Sequence, residues 1–308
     1  MKYNLSSLPS RRNFLQQAGF LSTSALMFPS ALQRNASNKF KLGLQLFTIR
    51  EAMAKDLRAT FKRIVEFGYQ EVETYGFNYG NNKYYWGLEP KQASQLLSDC
   101  GLTTSSGHYD LDKYFAKDQQ DALRRYTDQC IAGATALKQS HIVWPTLAAQ
   151  YRTLEEVKRL AATLNTIGEQ IKRGGLQLAY HNFGWDFMEQ GGVIPYDIIL
   201  KETDPALVKM ELDLYWFSYG TRTKPLDWFK KQPGRFVIWH IKDMNKQNRE
   251  LHEVVGDGQI DFKPIFKDTQ LSGVKHMFVE QGNNYVPDAM SCVQRSADYM
   301  KKSLLNSL

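Results

Sequence analysis

Three short apolar runs in this chain end in residues that a buried strand has no packing reason to carry. Phe236-Val-Ile-Trp-His-Ile-Lys-Asp243 closes on His240, Lys242 and Asp243, Lys209-Met-Glu-Leu-Asp213 on Asp213, and His276-Met-Phe-Val-Glu280 on Glu280. One imidazole and two carboxylates, each ending a different run, make a donor set able to hold a divalent ion. Such residues meet only where strand ends share one mouth, as at the C-terminal end of a parallel α/β barrel. The rest of the chain must then supply the strands and helices that bring them together.

The pattern from residue 41 onward does this. Strand-like runs fall at 42–48, 71–75, 102–108, 141–144, 176–181, 207–213, 236–242 and 275–280. Helical periods follow them at 56–67, 90–100, 118–136, 154–172, 196–202, 225–231, 263–268 and 287–302. Gly68 and Gly101 close the first two helices, and Pro90 suits a first helical turn. Eight such repeats without a linker predict a single-domain (β/α)8 TIM barrel over residues 39–308. A doubly wound nucleotide-binding sheet would need a glycine turn after its first strand, and Phe47-Thr-Ile-Arg-Glu51 has none.

Composition narrows the function. Hydrophobic residues at 43% and charged residues at 23% are ordinary for a globular protein and argue against disorder. The net charge is +7, but Lys2, Arg11, Arg12 and Arg34 supply +4 of it within an acid-free stretch at 1–38. The remaining +3 is too small and too spread to predict a nucleic-acid partner. Cys100, Cys130 and Cys292 are far apart and show no metal-finger spacing, so they read as small buried apolar residues. Ser10-Arg-Arg-Asn-Phe-Leu-Gln16 precedes a weakly apolar run at 18–32, the order of a twin-arginine export signal. Residues 1–38 are therefore expected to direct a periplasmic location. The run is too short and too interrupted to span a bilayer, and no cysteine offers a lipid anchor.

Taken in order, the predicted strand ends carry Gln45 and Thr48, Glu73, His108, Trp144, His181 with Asn182, Asp213, His240 with Lys242, and Glu280 with Gln281. Aromatic residues crowd the same ends, among them Tyr109, Phe183, Trp185, Tyr215, Trp216 and Tyr219. Aromatic faces against sugar C–H faces would suit a carbohydrate, packing of loops against the barrel rim being the other use of each ring. No glycine-rich turn or arginine cluster at the ends of strands seven and eight provides for phosphate. An unphosphorylated sugar or glycoside is the expected substrate class. Glu73, Trp144, Asn182 and Trp216 are the candidate substrate-binding residues, with Glu73 expected on a substrate hydroxyl or a neighbouring side chain.

A wider set of phrases makes the resemblance specific: Gly43-Leu-Gln-Leu-Phe47, Glu71-Val-Glu73, Tyr180-His-Asn182, Leu212-Asp-Leu-Tyr-Trp216, His240-Ile-Lys-Asp243, Gly256-Asp-Gly258 with Asp261-Phe262, and Phe278-Val-Glu280. Together they resemble the sugar phosphate isomerase/epimerase family of the xylose isomerase-like TIM barrel superfamily. The resemblance implies a metal site at Asp213, His240 and Glu280, filled by Mn²⁺, Co²⁺, Zn²⁺, Fe²⁺ or Mg²⁺. Many members add a glutamate at the end of the fifth strand. Here that place is held by His181, the expected fourth ligand, with a role behind the ligands or on the substrate as the alternative. The family's enediol chemistry uses two opposed glutamates, so losing one disfavours symmetric epimerisation. It leaves an elimination, dehydration or one-sided isomerisation, with Glu280 or His108 as base and Lys242 stabilising negative charge. The competing readings are a carbohydrate-binding barrel that has lost activity, and an abasic-site endonuclease, which would need more histidines and a basic groove. The oligomeric state stays open, a homo-oligomer included.

Overall fold

The computed structural model describes residues 40–78 and 84–308. The export stretch expected at 1–38 lies outside the described residues. Among these, no helix is long and apolar enough to cross a membrane.

The chain alternates strand and helix as its periodicity requires. It begins with β1 (Gly43–Gln45), a 3₁₀ turn at Leu46–Ile49, α1 (Arg50–Lys55), α2 (Leu57–Glu66), β2 (Glu71–Thr74) and α3 (Pro90–Asp99). It continues through β3 (Thr103–His108), α4 (Gln120–Ala136), β4 (His141–Trp144), α5 (Leu154–Arg173), β5 (Gln177–His181) and α6 (Pro195–Glu202). Then come β6 (Val208–Asp213), α7 (Leu214–Gly220), α8 (Pro225–Lys231), β7 (Ile238–Ile241) and a small hairpin of β8 (Asp243–Met244) and β9 (His252–Glu253). The chain closes with α9 (Phe262–Phe266), α10 (Thr269–Ser272), β10 (His276–Val279) and α11 (Ala289–Tyr299). The strands β1 to β7 and β10 form one closed parallel barrel in the order β1-β10-β7-β6-β5-β4-β3-β2. The (β/α)8 fold expected from the pattern is the one observed.

The helices are amphipathic and cover the barrel. On α5, Val157, Leu160, Ala161, Leu164, Ile167 and Ile171 fall on one buried face, while the Thr153 hydroxyl caps the helix by accepting from Glu156 N. Each fully buried aliphatic side chain contributes about 1.5–3 kcal/mol. Inside the barrel, Val143, Ala179, Val237, Ile238 and Phe278 form a separate apolar plug. Successive strand residues alternate faces, so the residues two further along point into the space above this plug. Ala179 is thus followed by His181, Ile238 by His240 and Phe278 by Glu280. The plug excludes water from below and leaves a polar mouth above. All three cysteines are buried and free, as their spacing suggested.

The structure departs from the sequence reading at element boundaries, each for a local reason. The helix expected at 56–67 is α2, started by the Asp56 cap on Ala59 N, and a further helix, α1, precedes it where no helix was expected. The chain after β6 turns at once into α7, because the Asp213 carboxylate accepts from Trp216 N at 2.9 Å and caps that helix. The short strand order Asp243–Met244 with His252–Glu253 is an antiparallel hairpin over the mouth, in a stretch read as loop.

The Gly256-Asp-Gly258 motif also has a structural use. Asp243 accepts backbone N–H bonds from Met244, Gly256, Gly258 and Ile260, at 2.8–3.1 Å, and so ties the hairpin loop to the end of β7. A Cβ on Gly258 would meet Asp243 Oδ1 at 2.3 Å and Met244 O at 2.4 Å. Gly258→Ala is expected to cost about 1–3 kcal/mol in urea unfolding. A variant as stable as the wild type would show that the loop yields without cost.

Candidate metal centre and active site

The donor atoms converge from four strands. His181 ends β5, Asp213 ends β6, His240 lies in β7, and Glu280 follows β10; their ligating atoms lie within 4.8 Å of one another. His181 Nδ1 bonds to Pro145 O at 2.9 Å, which only a protonated nitrogen can do. Its Nε2 is thereby left as a lone pair, 3.6 Å from Asp213 Oδ2. Neither His181 Nε2 nor Asp213 Oδ2 has a hydrogen-bond partner, although both are buried. Asp213 is held from behind by Asn182, whose amide accepts from Asp213 N at 3.0 Å and donates to Asp213 O at 3.2 Å. His240 turns Nδ1 towards Glu280 Oε2 (2.9 Å) and Asp213 Oδ2 (3.8 Å). Two nitrogens and two carboxylates gathered at a common point, with His181 Nε2 and Asp213 Oδ2 orphaned, fit a divalent metal ion.

A second tier supports the first. His240 Nε2 contacts Glu73 Oε2 at 2.6 Å and Glu211 Oε1 at 3.3 Å. Glu73 is itself held by Gln45 Nε2 (2.7 Å) and Ser106 Oγ (2.6 Å). A carboxylate behind a ligating histidine fixes the ring's orientation and raises its basicity. His108 Nε2 bonds to Glu211 Oε2 at 2.7 Å. His108, His181, Glu211 and His240 also lie close enough to share an ion, so Glu211 adjoins both groupings.

Burial and charge oppose each other throughout this cluster. Burial pushes the His181 imidazole below its ordinary value and keeps it neutral. Burial alone would lower His240 too, but Glu211 and Glu73 raise it well above the ordinary histidine value. Burial would raise Glu280, yet the Lys242 charge and the His240 bond hold it well below the usual carboxylate range. Glu73 is raised by burial and by Glu211, whereas His240 and His108 bring Glu211 down against its own burial. Two adjacent carboxylates thus have their proton affinities pushed apart.

A cavity of about 570 Å³ opens over this cluster, and His108, His181, Trp216, Lys242 and Glu280 line it. Lys242 Nζ sits 3.1 Å from Glu280 Oε2 and 3.4 Å from Asp213 Oδ2. Glu280 Oε2 serves both His240 and Lys242, while Oε1 makes no bond among the described residues. The Trp216 and Phe183 rings lie 4.9 Å apart along one wall, and an edge-on Phe47–Tyr75 pair at 5.4 Å stands at the rim. A cleft of about 630 Å³ beside α7, α8 and α9 holds neither donor cluster.

Two of the predicted substrate-binding residues, Trp144 and Asn182, sit away from the cavity, and Glu73 meets neighbouring side chains, one of the two roles expected of it. Trp144 faces away from the barrel interior, buried against Phe115 with its indole bonded to Thr146 O, because strand alternation puts it opposite Val143. Asn182 and Glu73 are buried behind the donors and contact other side chains and backbone. Trp216 does line the cavity. His108 is presented to the cavity with its other nitrogen on a carboxylate, an arrangement suited to holding a proton. Two residues were missed. Glu211 lies two positions before Asp213, so strand periodicity alone puts both on the inner face. His252 lies in the hairpin, where the sequence carries no strand signal.

A parallel barrel with a divalent-metal donor set at the C-terminal mouth of its strands is the class that this geometry defines. The sequence matches the xylose isomerase-like TIM barrel family over residues 61–302, and the chain belongs to that family. It is 28% identical over 137 residues to an inosose dehydratase of Lacticaseibacillus casei, covering 39% of this chain and 45% of that protein. The chain thus spans just under half the length of that curated relative. A sugar phosphate isomerase/epimerase from Parabacteroides distasonis superposes with a TM-score of 0.78 at 25% identity, over 88% of this chain and 96% of that one. The zinc-containing IOLI protein superposes at 0.66 with 16% identity, over 87% and 99%, and shares the fold.

Proposed function

We propose that this chain is a divalent-metal-dependent enzyme that eliminates a leaving group next to the carbonyl of an unphosphorylated keto sugar or oxidised glycoside. The observation that carries this reading is the pairing of a free Glu280 oxygen and a carboxylate-backed His108 on one cavity, beside the donor set. His181, Asp213, His240 and Glu280 would hold the ion. When bound, the metal would supply Lewis-acid polarisation of a substrate oxygen.

The chain's own groups account for the proton movements. Glu280 Oε1 takes the proton from the carbon next to the carbonyl, and the C–H electron pair becomes the enolate double bond. Lys242, already 3.1 Å from Glu280, neutralises the negative charge that develops. The carbonyl then re-forms, the enolate pair becomes the new C=C bond, and the β C–O bond breaks with its electrons on the departing oxygen. That oxygen takes the His108 proton, and the Glu211 carboxylate stabilises the charged ring beforehand. One carboxylate base and one imidazole acid suit elimination better than an inversion needing two matched bases. The dehydratase activity named for the L. casei relative points the same way. One-sided isomerisation uses the first half of the same sequence and is the second reading.

The cavity walls favour a neutral ring. Lys242 is the lone Lys or Arg among the residues lining it, and it is engaged by two carboxylates. Asp110, Glu250 and Glu280 line the same space, so a phosphate dianion would meet net repulsion. The aromatic pair Phe183–Trp216 offers a face for sugar C–H groups. An exported enzyme, as the arginine pair at 11–12 suggests, would meet such substrates outside the cytoplasm.

The test is metal analysis followed by proton exchange in D₂O against 2-keto and 3-keto sugars, an inosose and an oxidised glycoside. The metal-loaded protein is expected to incorporate deuterium next to the carbonyl and to release the β-substituent. A protein that retains no divalent ion would instead support a carbohydrate-binding barrel without catalysis.

A further inference from the structure

The hairpin over the mouth carries a histidine with no place in the scheme above. His252, on β9, lines the same cavity as Lys242 and Glu280. Its backbone N–H donates to Asn283 Oδ1 at 2.8 Å, and its carbonyl accepts from Asn284 Nδ2 at 2.9 Å. The hairpin is therefore fastened to the loop that follows β10. The ring packs edge-on against Tyr215 with centroids 4.3 Å apart, which fixes its tilt.

The decisive contact is at Nδ1, which accepts the backbone N–H of Gly282 at 2.7 Å. A nitrogen that accepts cannot carry a proton, so the ring is neither an imidazolium nor the Nδ1–H tautomer. A neutral ring must then carry its hydrogen on Nε2. That nitrogen has no partner among the described residues, yet it is absent from the buried atoms lacking one, so it is open to the cavity. The surroundings agree with a neutral ring. Burial pushes the imidazole down to about 3, with Lys242, just past the end of β7, adding to the effect, while Glu280 and Asp213 pull the other way.

We infer that His252 is a substrate-contacting residue that donates its Nε2–H to an oxygen of the ligand. A donor of this kind recognises a carbonyl, hydroxyl or enolate oxygen and gives nothing to a cationic group. It strengthens as negative charge builds on that oxygen, and being neutral and pre-positioned it needs no reorganisation as the charge appears. Lys242 and His252 would then supply two donors, one charged and one neutral, to the same developing charge. This inference rests on the elimination reading for its catalytic consequence, but not for the tautomer.

Two variants separate the ring's two nitrogens. His252→Asn keeps an oxygen near the Nδ1 position for the Gly282 N–H and removes the donor. His252→Gln places an amide N–H near the Nε2 position. In the metal-loaded full chain, His252→Asn is expected to keep its metal content and melting temperature while kcat falls about 10²–10³-fold, the usual cost of one such donor. KM should move far less, and His252→Gln should recover part of kcat. A His252→Asn enzyme within threefold of wild-type kcat would overturn the inference. Independently of any turnover, ¹⁵N-histidine spectra should assign His252 as the Nε2–H tautomer between pH 6 and 8. An Nδ1–H or doubly protonated ring overturns it even if no keto sugar is turned over. A wild type inert towards every keto sugar counts against the elimination reading, and the ring spectra still decide on His252.

Discussion

Glu280→Gln is expected to lower turnover by about 10²–10⁴-fold, the usual cost of losing a general base, while leaving the barrel folded. The side chain stands above the apolar plug, so the substitution removes no packed volume from the interior. An amide oxygen can still face the donor set, but an amide cannot take a proton. Lys242 keeps Asp213 at 3.4 Å and His240 keeps Glu73 at 2.6 Å, so neither charge is stranded. The measurement is kcat on the most active keto sugar, with metal content and melting temperature of the same preparation as controls. Activity above about a tenth of wild type, at equal metal content, would mean that another group takes the proton. The depressed proton affinity of Glu280 sharpens this test. Its carboxylate stays charged at neutral pH because Lys242 and His240 face it against the cost of burial, so the wild-type base is ready without prior deprotonation.

The barrel was legible because its repeats are carried by periodicity, which is local. Strand β4 and helix α8 fall on the residues expected, and most other elements shift by a residue or two. The donor set was legible because Asp213, His240 and Glu280 stand at strand ends, which the barrel brings to one mouth. What the sequence reading missed lay one step away in the same rule. Alternation puts Glu211 with Asp213 on the inner face of β6, and it turns Trp144 outward from the face shared by His141 and Val143. Reading strand ends as a set, without asking which face each residue takes, lost the first and misassigned the second. Glu73 and Asn182 were harder, because whether an inward polar residue meets substrate or a neighbour depends on depth. His252 had no local signal at all. Its position follows from side-chain bonds to Asn283 and Asn284, some thirty residues further along the chain.

The fifth strand offers the second large effect. His181→Ala should weaken divalent-metal affinity by about 100-fold or more, since even supporting residues around such sites cost 10–100-fold. Its Nδ1–H is committed to Pro145 O, and its Nε2 is buried, unpartnered and 3.6 Å from Asp213 Oδ2. Burial also lowers the imidazole's proton affinity, so no proton competes for that lone pair at neutral pH. Competition against a chromophoric chelator with the full chain would measure the loss, and affinity within threefold of wild type would remove His181 from the donor set. The same position is expected to set metal preference. An imidazole in place of the family's usual glutamate lowers the site's negative charge and favours Zn²⁺ or Co²⁺ over Mg²⁺. His181→Glu should therefore shift the ratio of Zn²⁺ to Mg²⁺ affinity towards Mg²⁺ by about tenfold or more, an effect on the order of 1.4 kcal/mol. An unchanged ratio, with binding intact, would place the source of selectivity in Asp213, His240 and Glu280 alone. The two substitutions answer different questions, because the alanine removes a ligand while the glutamate exchanges its charge at constant ligand number.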